Sequence, residues 1–399
     1  MLSRNHYISV SLIWFIIAVA LAALLRSVFA YNLGSWFSYQ NMLHTHSHLA
    51  FLGWVFNALY YLLLKQYNLL NKKKYSHLFI LLNLSIVEML FTFPFTGYAL
   101  WSIVFSTLHI VLSYVFGFML WRDTKDDKSL HRKFAMAAVF FMVLSSIGPF
   151  SLGPIIAQGM KDTIWYELAI YFYLHFQYNG WFLLAIISLV LSQMKSIDKD
   201  NWQRAFNLFF LSTILNFSLS TLWTNPGWVI NIISVLSSLM QTHALFLVRT
   251  DLHNYLKTQE RFKYGLLTII YTLLVIKIFF SLLGSIQEVA DFVYQNRNLT
   301  IGFLHAIFLG VVTPFIIHRL AEAKLVSETK NYKKAVLLFL LFFLISELLL
   351  TVSALGLRGG SIIILLHALI IDTWLLSLSS IAMALILIRG NYSSQSINQ

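Results

Sequence analysis

The sequence predicts an all-α integral membrane protein of twelve transmembrane helices, and three observations lead there. Hydrophobic residues make up 58% of the 399 and charged residues only 11%, with a mean hydropathy of +0.73. That leaves too little polar surface to wet a globule of this size. The apolar residues fall in runs close to the ~20 that a helix needs to cross a bilayer. The basic residues collect in alternate loops, as they do on the cytoplasmic side of membrane proteins.

Taken in order, the runs predict spans near 8–29, 43–64, 77–98, 99–121, 133–156, 165–194, 203–223, 227–249, 263–284, 299–318, 334–356 and 361–388. Only Phe95 to Tyr98 separates the third from the fourth. No small-x-small site follows the first run, which continues to Phe29, so it reads as a span and not as a cleaved signal peptide. Loops after even spans carry Lys72, Lys73 and Lys74, then Arg122, Lys125, Lys128, Arg132 and Lys133, then Arg319, Lys324, Lys330, Lys333 and Lys334. Arg4 and Arg389 share that side; the opposite side holds only Lys161, Arg297 and Arg358. This asymmetry predicts two cytoplasmic termini, an even number of spans and a location in the inner (cytoplasmic) membrane, with the lipid bilayer as the chain's main partner. The net charge of +12 belongs to these loops and predicts no nucleic-acid partner. The absence of cysteine excludes disulfides, thiolate-ligated haem, iron–sulfur clusters and cysteine zinc sites.

Three even spans share a pattern. The second reads His46-Ser-His48-Leu-Ala-Phe-Leu-Gly53-Trp54, the sixth His175-Phe-Gln-Tyr-Asn-Gly180-Trp181, and the tenth His305-Ala-Ile-Phe-Leu-Gly310-Val311. Each is His-x4-Gly followed by a bulky residue. A second series, His109, His243 and His367, occupies the remaining even spans at similar spacing. Long-period self-similarity of this kind predicts a duplicated four-helix unit, with repeats near 1–133, 134–262 and 263–399 in one transmembrane domain. Odd spans carry no interior histidine, which predicts even helices facing the interior and odd ones facing lipid. The glycine lets a partner helix, or a flat ligand, approach the backbone.

Neutral imidazole is a good ligand for haem iron, copper and zinc. In a cysteine-free, aromatic-rich interior, haem is the best fit, since it needs one axial imidazole and often a second from a facing helix. His46 and His48 are two residues apart and so point about 200° apart on a helix, toward two sides; His44 extends the cluster. The expected cofactor ligands are His44, His46, His48 and His305; His175, His243, His109 and His367 are the expected metal ligands. The alternative for any one of these histidines is a hydrogen bond to a neighbouring helix. Intramembrane Arg26 and Lys277 are candidates for pairing with haem propionates or for snorkelling, and Glu88, Glu347 and Asp372 are further costly ionisable groups.

Twelve helices in three arcs of four, both termini inside, resembles subunit I of the haem-copper oxidases and nitric oxide reductases. His46-Ser-His48-x4-Gly53-Trp54 is similar to the tenth-helix motif of the C-type oxidases, Leu43-His44-Thr45 to their second-helix motif, and Ile301-Gly302-Phe303-Leu304-His305 to their Ile-Gly-His-Val-His. The resemblance implies that His305 is a low-spin haem ligand partnered by His44 or His48, and that His175 stands where the family has a copper ligand. Phe303 takes the place of the high-spin haem ligand, and the seventh span has no histidine. That departure is closer to the NnrS-type haem and copper membrane proteins of nitric oxide defence. The resemblance therefore implies an oxidoreductase-type protein with non-covalent b-type haem, copper as a further metal, and a cytochrome or other electron-transfer subunit as partner. It would handle nitric oxide, oxygen or electrons. The alternatives are a haem or copper assembly factor or sensor, and a secondary transporter.

Overall fold

The computed structural model describes residues 2–31, 38–356 and 362–395, and helices are the only regular elements among them. Twelve are long and apolar enough to cross a membrane: Arg4–Val28, Tyr39–Gln66, Lys73–Thr96, Leu100–Asp123, Leu130–Ala157, Ile164–Leu191, Lys199–Thr224, Trp228–Lys257, Arg261–Leu283, Arg297–Ala323, Lys330–Ala354 and Ile363–Gly390. Their outward faces carry large apolar side chains such as Phe91, Trp101, Phe118, Leu236 and Leu348, which suits a lipid bilayer. Arg358 lies outside the described residues.

The narrow gap between the third and fourth spans is a turn at Gly97, whose φ is +58°. A side chain there would also run onto the Asn41 amide, 2.5 Å from its Oδ1, so glycine is needed for both conformation and space. The fifth span is built of two pieces, Leu130–Ser145 and Ile147–Ala157. Pro149 sits in the first turn of the second piece, where an absent N–H is tolerated. A helix not foreseen from the sequence, Gln287–Gln295, precedes the tenth span. Its Val289, Phe292 and Val293 mark one apolar face, a signal readable at i, i+3 and i+4. Its Tyr294 ring stacks on Trp223 at 4.2 Å, and the Tyr294 hydroxyl donates to Glu167 Oε2.

The second, sixth and tenth spans each change from α-helix to a wider π-helix: at Leu49–Phe56, Phe176–Phe182 and Phe308–Val312. Each wide segment follows the repeated histidine and contains the repeated glycine. Such segments are rare and concentrate at functional sites. Two of these spans are the most enclosed of the twelve: 83% of the second span's apolar stretch and 78% of the sixth's is buried, against 50% of the tenth's. The fourth and eighth spans are only 28% and 33% buried. Even spans as a class therefore do not face inward. Enclosure is greatest in two of the three His-x4-Gly spans, while the tenth is no more enclosed than the first and twelfth.

Residues fall into two compact units. The first comprises Met1–Phe118 and Thr313–Gln399, the second Met119–Val312. In the first, the opening span packs along both the second and the twelfth, and the twelfth along the eleventh. Side chains pin these pairs: Trp374 Nε1 donates to Ser27 Oγ at 3.0 Å and Trp54 Nε1 to Thr313 Oγ1 at 3.1 Å. In the second unit the sixth span packs on the fifth, and the eighth on the seventh and ninth.

Lys324, just beyond the tenth span, has an energetic consequence. It is 7% exposed, and its ammonium has no hydrogen-bond partner among the described residues. Burial pushes it from its ordinary 10.5 down to about 8. Between those values an unfolded chain holds a proton on this lysine that the folded chain has released, so stability rises with pH across that window. Lys324→Met is expected to raise thermal stability at pH 7, by about 2 kcal/mol, and to remove that rise between pH 8 and 10. Melting curves of both proteins across the range check this; parallel profiles would count against it.

Candidate functional site

The second span sends its histidines to two sides, as their spacing requires. His46 Nδ1–H donates to the Ala18 carbonyl of the first span at 2.9 Å. His48 Nδ1–H donates to the carbonyl of His44, one turn back, at 2.8 Å. Both bonds have a carbonyl acceptor, so the proton sits on Nδ1 and each Nε2 keeps its lone pair. Metal-binding histidines are commonly oriented this way, with the second nitrogen tied to a carbonyl. The His48 ring stacks on Phe93 at 4.4 Å, and His44 and His48 both meet the Tyr98 ring edge-on, at 4.6 and 6.0 Å.

His109 of the fourth span lies further along the second span, beside Phe56. It is 1% exposed, and its ring lies edge-on to Phe56 at 5.2 Å. Its Nδ1 is 3.1 Å from Ser85 Oγ. The Ser85 hydroxyl hydrogen is already given to the Leu82 carbonyl at 2.6 Å, so Nδ1–H is the donor. Nε2 is left as a buried lone pair without a hydrogen-bond partner among the described residues. Such an orphaned acceptor costs about 1–3 kcal/mol. The His48 and His109 imidazoles lie within electrostatic reach of one another. An orphaned nitrogen on His109 and a pre-oriented His48 against the Phe93 and Tyr98 rings thus both belong to the first unit.

The other predicted ligands are placed differently. His175, 2% exposed, has both ring nitrogens engaged: Nε2–H donates to the Thr213 carbonyl at 2.8 Å, and Nδ1 accepts from Asn179 Nδ2 at 3.1 Å. It fastens the sixth span to the seventh. His243 is exposed, beside Phe246 one turn on, and His367 is exposed with its Nδ1–H on the Ile363 carbonyl. Both were expected to face the interior; both are exposed, and the His367 ring meets Tyr31 of the first helix edge-on at 6.1 Å. His305 is half-buried in the second unit, three residues ahead of the wide segment. Among the described residues, no three His, Asp or Glu side chains are gathered as a metal site.

Two of the repeated glycines, Gly53 and Gly180, admit a partner helix. The Trp14 ring of the first span lies on Gly53, with Cγ 2.9 Å from where a Cβ would stand. Phe141 of the fifth span lies on Gly180 in the same manner. Arg26 faces Asp372 of the twelfth span within electrostatic reach, and Asp372 is 4% exposed. Lys277, 3% exposed, lies within reach of His175. Glu88 is exposed. Sequence reasoning missed Ser85, Phe93 and Tyr98, which surround the imidazoles; none of them belongs to a repeat or a motif. Comparison with protein-family models and with curated proteins gives no match for this chain.

Proposed function

We propose that the chain is a multi-pass membrane protein that holds a non-covalent haem on imidazoles of its first unit, with His48 and His109 as the leading ligands and His44 and His46 of the second span as the further candidates. The observation that carries this reading is the buried Nε2 of His109, without a partner among the described residues, within electrostatic reach of a His48 whose Nδ1–H is already committed to a carbonyl. Haem needs only one or two imidazoles, and it stacks well on aromatic rings such as Phe93 and Tyr98. A bound haem would supply the redox or diatomic-ligand chemistry; copper is the alternative metal. The chain's own residues orient the imidazoles and keep water out. His305 is the corresponding imidazole proposed in the second unit. The substrate class proposed is nitric oxide, oxygen or electrons, as in the haem-copper oxidase superfamily that the motifs resemble.

We also propose three four-helix repeats, supported by the recurrence of His-x4-Gly with a wide segment in the second, sixth and tenth spans. Two cytoplasmic termini are supported by the loop charges. A second reading, a secondary transporter, is favoured by the buried Asp372 facing Arg26, since intramembrane charge pairs mark substrate and ion pathways.

The test is the visible spectrum and metal content of the detergent-purified protein, oxidised and reduced. The expected result is a Soret band with iron bound, shifting on reduction. Protein purified from haem-replete cells with neither iron nor copper would overturn the haem reading and leave the transporter.

A further inference from the structure

The helix Gln287–Gln295 joins the ninth span to the tenth, and its side chains divide into three sectors. Gln287 and Tyr294 are seven residues apart and share one side, because seven residues make almost two whole turns. Gln287 Nε2 donates to the Leu222 carbonyl at 2.8 Å, and Tyr294 stacks on Trp223, the next residue of the seventh span. Two points ~10 Å apart along the helix thus touch adjacent residues. A helix running alongside the seventh span would touch it at residues about two turns apart, so this one crosses the end of that span. Asn231, in the first turn of the eighth span, donates to the Ser285 carbonyl at 3.1 Å. Glu167, in the first turn of the sixth, accepts from the Tyr294 hydroxyl. The helix therefore lies level with the first turns of two spans, at the end opposite the basic loops.

Glu288, Asp291 and Gln295 make the second sector, and Glu288 and Gln295 are exposed. Opposite them stand Val289 and Val293, joined by Ile286 just before the helix and flanked by Phe292; Ile286 and Phe292 are exposed. An apolar face opposite a polar one suits a helix lying where hydrocarbon meets water. The level agrees with this. Trp165 and Trp228, in the first turns of the sixth and eighth spans, are exposed as well, and tryptophan collects where a bilayer meets water. The apolar face also continues a lipid-facing surface: exposed Phe279, Phe280 and Leu283 at the end of the ninth span lead through Gly284 and Ser285 into Ile286. We propose that Gln287–Gln295 is an interfacial helix whose partner is the bilayer itself. Ile286, Val289, Phe292 and Val293 rest among lipid, and Glu288 and Gln295 stay in water. Such helices sink their apolar side ~5–10 Å into the boundary between headgroups and acyl chains. The bonds to Leu222 and Glu167 then hold the second unit at one depth.

The test uses the full-length protein reconstituted in phosphatidylcholine vesicles. The chain has no cysteine, so Phe292→Cys and Glu288→Cys variants each carry a single nitrobenzoxadiazole label. Lipid bearing a nitroxide near its headgroup quenches a label in the boundary, and aqueous iodide quenches a label in water. The label at position 292 is expected to be quenched about threefold more by the nitroxide lipid than the label at position 288, and about threefold less by iodide. If Phe292→Cys does not fold, Val289→Cys on the same face takes its place. Equal quenching by iodide at the two positions places the face in water and overturns the proposal. Protection of position 292 from both quenchers also overturns it, since protein then covers the face, and chemical cross-linking shows whether a second copy of the chain does so.

Discussion

Gly180→Ala is expected to destabilise the protein by about 3 kcal/mol or more, or to prevent its folding. A methyl group at this position would lie 2.6 Å from Phe141 Cγ and still closer to Phe141 Cβ. Cβ is fixed to the backbone of the fifth span, so the neighbour cannot swing aside as the tip of a long side chain would. The residue also sits inside the wide Phe176–Phe182 segment, with Phe176 stacked on Phe141 at 5.7 Å. Phe141→Ala alone should cost a similar amount by leaving a void. The double variant should cost less than the sum, because one change opens the space that the other fills. Melting curves of the three variants measure the coupling, and strict additivity would show that Phe141 does not set the limit at Gly180. Gly53→Ala should be milder, since it meets Trp14 Cγ at 2.9 Å and Trp14 Cβ at 3.0 Å, both farther than Phe141 Cβ and Cγ at Gly180.

The second large effect concerns the cofactor. His48→Ala is expected to abolish haem binding, and His109→Phe to do so while leaving the apoprotein as stable as the wild type, or more so. The asymmetry follows from the hydrogen bonds. Phenylalanine replaces a buried imidazole whose Nε2 is unsatisfied, and Ser85 keeps its bond to Leu82. An apolar ring of similar shape then removes a penalty of about 1–3 kcal/mol. A merely structural histidine would show the opposite pair of results, with unchanged absorbance and lowered stability. Absorbance at the Soret band and apoprotein melting, measured on the same preparations, distinguish the two.

Membrane architecture was legible because hydropathy and loop charge report directly on the solvent. The twelve runs reappear with ends shifted by a few residues, and the break at Phe95–Tyr98 is a turn at Gly97. The fate of individual imidazoles was not legible. His109, His243 and His367 belong to one series by position, yet one is enclosed against Ser85 and Phe56 while two are exposed. Which way a side chain points depends on the neighbours its helix meets, and spacing within one helix carries no information on that. His175 was partly readable: Asn179 is four residues on, the spacing at which two side chains on a helix meet. The wide segments left only an indirect trace, the repeated glycine.

Those segments have a geometric corollary. A circuit closed by i→i+5 bonds uses one residue more than an α turn, so everything beyond it is out of phase by ~100° with everything before it. In the second span the imidazoles at 44, 46 and 48 lie ahead of this offset, and Asn57, which donates to Asn83 at 2.8 Å, lies behind it. The histidine-bearing half and the anchoring half of one rod are thereby aimed independently, and the excision of a single residue between them would swing one against the other like a key turned in its lock.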